Sequence, residues 1–89
     1  MDIQRIRNRI QEFAASPSNV RFSEIDAFIC NQLIPALGGK ARPPRGSHYT
    51  YTVGDQTFVI ARRASQIKKV YVKEFLDRMA ALGLYDPEE

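Results

Sequence analysis

His48 is the single histidine of this 89-residue chain, and it lies in the run Arg45-Gly46-Ser47-His48-Tyr49 at the mouth of a β-rich segment. Imidazole takes up and releases a proton near neutral pH, so a lone histidine beside a reactive group is a candidate general base. Other reactive groups offer less. Ser47 has no aspartate in view to complete a nucleophilic triad. Cys30 follows Ile29 on the apolar side of a helical stretch and reads as a small core residue. Gly38-Gly39-Lys40 lacks the spacing of a phosphate-cradling loop and reads as a helix stop. With one histidine and one cysteine the chain lacks the ligand set of a zinc site, so neither metal nor cofactor is expected.

The charge distribution sharpens the case for His48. The net charge is +3, but it is unevenly spread. Residues 1–37 balance four basic against four acidic side chains. Residues 38–73 hold eight cations (Lys40, Arg42, Arg45, Arg62, Arg63, Lys68, Lys69 and Lys73) against Asp55 alone, a local +7, and residues 74–89 return −4. A cationic segment of that strength attracts polyanions such as nucleic acid, or else forms a solvated face. His48 lies inside it, next to Gly46, whose missing side chain permits close approach of another backbone. A base beside a phosphate-binding surface suits attack of an RNA 2′-hydroxyl on its own 3′-phosphate, which needs no metal.

The elements that must position these residues follow from periodicity. Ile3, Ile6, Ile10 and Phe13 recur at helical spacing, predicting an amphipathic helix from residue 2 to about 15, stopped by Ser16-Pro17-Ser18-Asn19. A second helix is expected after Ser23 as N-cap, with Ile25, Phe28, Ile29 and Leu33 on its apolar side. Pro35 should bend or finish it, and Gly38-Gly39 ends it. Any strand within residues 40–44 belongs at a sheet edge, because that stretch is basic and carries prolines. Residues 47–53 and 56–61 are rich in β-branched and aromatic side chains around Gly54-Asp55, the pattern of a hairpin with a type II′ turn. That turn pairs Val53 with Gln56, Tyr51 with Phe58 and Tyr49 with Ile60. Tyr49, Tyr51, Phe58 and Ile60 then share a core face, and His48, Thr50, Thr52, Thr57 and Val59 the other. A last helix is predicted from about Lys69 to Leu82, with Val72, Phe75, Leu76, Met79 and Leu82 as its stripe and Gly83 beyond its end. The expected fold is one α+β domain over residues 1–89: a three-stranded antiparallel sheet with helices on one face, plus an N-terminal helix.

Three blocks in order, Val20-Arg21-Phe22-Ser23-Glu24, Arg45-Gly46-Ser47-His48 and Lys68-Lys69-Val70-Tyr71-Val72-Lys73-Glu74-Phe75-Leu76, resemble the HicA family of toxins. The likeness spans residues 20–83, and the N-terminal helix resembles that of the longer members. The Gly-Ser-His step before a hairpin is its best motif. The resemblance implies a fold like the double-stranded-RNA-binding domain, a catalytic His48, cleavage of messenger RNA and neutralisation by a HicB-type antitoxin. Many members carry a second histidine directly after the first, where this chain has Tyr49. That departure leaves the chain without a second acid–base group there.

The expected function is therefore that of a type II toxin, a metal-independent endoribonuclease with His48 as general base. Arg45, and Lys68 or Lys69 across the sheet, would stabilise charge on the phosphate. Arg42, Arg62, Arg63 and Lys73 would hold the RNA backbone, with Gly46 and Ser47 also against the RNA. Two alternatives stay open: a module that grips structured RNA by shape without cutting it, and a protein-interaction subunit that docks an acidic partner. No apolar run approaches the ~20 residues of a membrane span. The start MDIQRIRNRIQEF is too interrupted by charge for a signal peptide, and a lone cysteine suits a reducing compartment. A soluble, cytoplasmic protein is expected.

Overall fold

A computed structural model describes residues 2–88. Helix α1 (Ile3–Ala15) buries Ile6, Ile10 and Phe13 of the expected stripe while Ile3, in its first turn, stays exposed, and Asp2 caps it by accepting the Arg5 N–H at 3.2 Å. After a 3₁₀ turn (Pro17–Asn19), a continuous helical rod covers residues 22–37, in three parts: α2 (Phe22–Phe28), a π turn (Ile29–Leu33) and α3 (Ile34–Leu37). One expectation needs correction here. The N-cap is Arg21 and not Ser23, and no side chain caps it. A tertiary anchor sets the start instead: the Phe22 N–H donates to the Ser65 carbonyl at 2.9 Å while the Phe22 ring is buried. Pro35 does not finish the rod. Its ring would press on the carbonyl one turn earlier in a regular helix. The π turn, in which the Ile34 N–H reaches back to the Ile29 carbonyl, widens the coil just before it.

The sheet contains β1 (Gly39–Ala41), β2 (His48–Val53) and β3 (Gln56–Ala61) in the order β1-β2-β3, all antiparallel. Tyr49 pairs with Ile60, Tyr51 with Phe58 and Val53 with Gln56, the register expected of a two-residue loop. Gly54 has φ +58° and Asp55 does not share the positive sign, as a type II′ turn requires. Helix α4 (Lys69–Ala81) buries Val72, Phe75, Leu76 and Met79, with Leu82 half-buried just beyond. It packs on the core face of the sheet and α1 packs on it in turn.

An aromatic chain ties the layers together. Tyr51 stacks on Phe58 at 5.7 Å, Phe58 meets Phe75 edge-on at 5.6 Å, and Phe13 meets Phe28 at 5.7 Å and Phe75 at 6.2 Å. Each such pair adds about 0.5–1.5 kcal/mol beyond its buried area. The result is an α+β fold in which, among the described residues, the helices lie on one side of the sheet and the other side is bare. Among the described residues no helix is long and apolar enough to cross a membrane.

Candidate nucleic-acid interface

The backbone around His48 is fixed by hydrogen bonding. The His48 N–H donates to the Arg45 carbonyl at 3.0 Å, and the Arg45 N–H donates to the His48 carbonyl at 3.0 Å. Gly46 and Ser47 thus form a second two-residue turn, with φ +59° at Gly46 in the position that favours glycine. This turn joins β1 to β2. On the β1 side the Arg42 N–H reaches the Thr50 carbonyl, so Pro43 and Pro44 together stand opposite Tyr49, a β-bulge that absorbs both prolines at the sheet edge.

Alternation along β2 then decides which way His48 faces. Tyr51 and Val53 are buried and Tyr49 is half-buried with its ring 4.5 Å from Phe22, so odd positions face the helices. His48, Thr50 and Thr52 face the bare side, joined by Lys40 opposite Thr52 and by Thr57 and Val59 from β3. His48 is exposed, as are Arg42, Arg45, Gly46 and Ser47. A groove along β1 is lined by Lys40, Arg42, Pro43, Arg45 and Thr50.

The remaining cations gather at the same end of the molecule but in the other layer. Leu82, past the end of α4, lies against Gly54, so α4 runs antiparallel to β3 and its first turn sits at the His48 end. Lys68 is the N-cap of α4 and Lys69 its first residue, with no acidic side chain in that turn. Both border a groove with Ser18, Arg63, Gln66 and Ile67. Lys68 and Lys69 are therefore not across the bare sheet face from His48, as expected, but on the helix side of the sheet's end. Helix N-terminal N–H groups and lysines that form no ion pair among the described residues together favour an anion there. Lys73 is exposed one turn further along α4.

Arg62 is engaged within the fold. Its guanidinium lies 5.1 Å from the Phe22 ring centre and its Nε donates to the Ala64 carbonyl at 3.1 Å, which occupies part of its hydrogen-bonding capacity. Arg21 is a cation that sequence reasoning left out of the site. It is exposed, and its backbone bridges to Gln66, which brings it beside the Arg63–Lys69 loop. No local pattern announces that contact, because it depends on how residues 62–68 fold back onto the start of α2.

No protein-family model, curated protein or solved structure matches this chain. Among the described residues no three of His, Cys, Asp and Glu gather into a metal-binding cluster. Asp26, on α2, has a structural partner. Its Oδ1 accepts the Tyr51 hydroxyl at 2.7 Å and lies 3.7 Å from Cys30 Sγ. Burial first, then the hydrogen bond to Asp26, holds the Tyr51 phenol well above its ordinary range. This bond pins the α2–α3 rod to β2, the strand that begins with His48.

Proposed function

We propose that the chain is a metal-independent endoribonuclease, the toxin of a type II toxin–antitoxin pair, acting on messenger RNA in the cytoplasm. The observation that carries this reading is an exposed histidine, fixed on a hydrogen-bonded turn, at the end of the molecule where Arg21, Arg45, Arg63, Lys68 and Lys69 collect. The cations draw in the RNA backbone, and the bare sheet face gives it room. His48 takes the proton of a 2′-hydroxyl, the 2′-oxygen attacks the adjacent phosphorus, and the bond to the 5′-oxygen breaks; that oxygen takes a proton from water, and His48 returns its proton to the hydroxide so formed. The products are a 2′,3′-cyclic phosphate end and a 5′-hydroxyl end. Arg45 is the cation closest in sequence to His48 and stabilises charge on the phosphate. Arg42, Arg63 and Lys73 hold flanking phosphates, with Lys68 and Lys69 as a second anion site at the start of α4. Gly46 and Ser47 lie where the RNA passes closest to the backbone. A HicB-type antitoxin with an acidic face would silence the toxin by covering His48 and its cations, since charge complementarity speeds capture.

The test is cleavage of RNA in the presence of EDTA by wild type and His48→Ala. Wild type should cut and the variant should not, while its circular dichroism stays native, because truncating an exposed side chain changes stability by about ±0.5 kcal/mol or less. RNA binding without cutting by wild type would instead identify a binding module. Neither binding nor cutting would leave the protein-docking alternative.

A further inference from the structure

Three cross-strand pairs follow one another along the bare side of β1 and β2. Arg45 stands opposite His48, held there by two backbone hydrogen bonds of 3.0 Å. Arg42 stands opposite Thr50, whose carbonyl accepts the Arg42 N–H at 3.0 Å, and Lys40 stands opposite Thr52. Residues directly opposite one another in an antiparallel pair share a face, so all six side chains lie away from the helices. Each pair joins a cation from the β1 side to a hydrogen-bonding side chain from β2. The bulge is what completes the series. In an unbroken strand Pro44 would stand opposite His48; because Pro43 and Pro44 together oppose Tyr49, Arg45 takes that place instead. Among the described residues none of the three cations forms an ion pair. The Thr52 and Thr57 hydroxyls lie 3.1 Å apart, and one hydrogen serves that contact while the other remains free to donate.

The pairs are evenly spaced. Their β2 members are two residues apart, and a strand rises ~3.4 Å per residue, so the series repeats every ~7 Å. The sugar–phosphate chain of RNA, when extended, repeats at about the same length. We infer that the three pairs hold three successive phosphates of one extended RNA strand. The phosphate being cleaved sits at Arg45 and His48, an assignment that rests on the endoribonuclease reading. The next sits at Arg42 and Thr50, and the one after it at Lys40 and Thr52. The strand leaves along β2 toward the Gly54-Asp55 turn, away from Lys68 and Lys69. No aromatic ring stands in the series, because Tyr49 and Tyr51 face the helices. The bases therefore find no stacking platform and turn away, so this stretch reads charge and spacing and not sequence.

An oligonucleotide with a single 2′-hydroxyl in an otherwise 2′-O-methyl strand fixes the bond that can be cut. A neutral methylphosphonate one or two linkages from that bond then removes one charge at a time. On one side of the cut, either replacement should lower the kcat/KM of wild type about fivefold. Arg42→Ala should be indifferent to the replacement at the first linkage and still respond at the second. Lys40→Ala should show the reverse. Both side chains are exposed, so both variants should keep native circular dichroism. Cutting without this matched loss would overturn the phosphate series and leave the nuclease reading standing. If wild type does not cut, the nuclease reading falls and binding decides the series. The slope of log K against log salt for a fully 2′-O-methyl strand should then shrink by about 0.7 in each variant, and not in Arg7→Ala on α1. Unchanged slopes would overturn the inference, as would a face that ignores RNA and is covered only by an acidic protein.

Discussion

Removing the hydroxyl of Tyr51 isolates the hydrogen bond that fastens the central strand to the helical rod. In Tyr51→Phe the ring remains buried against Phe58 at 5.7 Å, so packing is preserved and only the 2.7 Å bond to Asp26 is lost. A bond to a carboxylate is worth about 1.5–3 kcal/mol when its partner is left dry. Asp26 is half-exposed and can turn to water, which places the expected loss at about 1–2 kcal/mol. For a domain of this size that lowers Tm by roughly 5–12 °C. The pH dependence gives a second signature. Because the folded phenol is held above its ordinary range, the unfolded chain loses this proton first. The stability from this group is intact below about pH 10 and drains away as the pH rises beyond it. Urea denaturation of wild type and variant at neutral pH and at pH 11 measures both effects. The variant should be less stable at neutral pH and should lose less on going alkaline. Equal stability at neutral pH with an unchanged alkaline decline would refute the role given to this bond.

Three further outcomes are expected. Burial, with the Asp26 charge and hydrogen bond adding to it, pushes the Cys30 thiol up, so alkylation by iodoacetamide at neutral pH should run slower than for a free cysteine and quicken in Asp26→Asn. Arg62→Ala should cost about 0.5–1 kcal/mol in thermal unfolding through the lost contact with Phe22, whereas Arg63→Ala, whose side chain has no such contact, should leave Tm nearly unchanged. RNA affinity should fall steeply with salt, with log K against log salt sloping by about −0.7 for each single-stranded phosphate neutralised; the slope should shrink in Arg45→Ala and Lys69→Ala.

The hairpin was legible because its physics is local. Gly54-Asp55 admits one turn type, the turn fixes the register, and the register assigns every side chain of β2 and β3 to a face, His48 included. Helices α1 and α4 were legible for the same reason, since their apolar positions repeat at the helical period. The start of α2 was not, because Ser23 satisfies local capping rules and is overruled by a backbone bond from Phe22 to Ser65, more than 40 residues away. The grouping of Arg21 with Lys68 and Lys69 was hidden likewise, in a loop whose path depends on tertiary contacts. Gly46 was legible as a place of close backbone approach and Ser47 as the start of a strand, but the prolines after β1 concealed that the pair closes a hairpin.

The π turn at Ile29–Leu33 amounts to one residue more than a regular helix of the same span requires. Excising one residue from this turn would let it close into a regular helix, and the Pro35 ring would then press on the carbonyl one turn earlier. The rod would have to kink near Pro35, straining the Asp26 bond that fastens β2 while every buried side chain remained encoded. Exposed Asn31 and Gln32 should accept substitution but not deletion. In a lineage of such chains, length between Phe28 and Pro35 should therefore be held more strictly than residue identity.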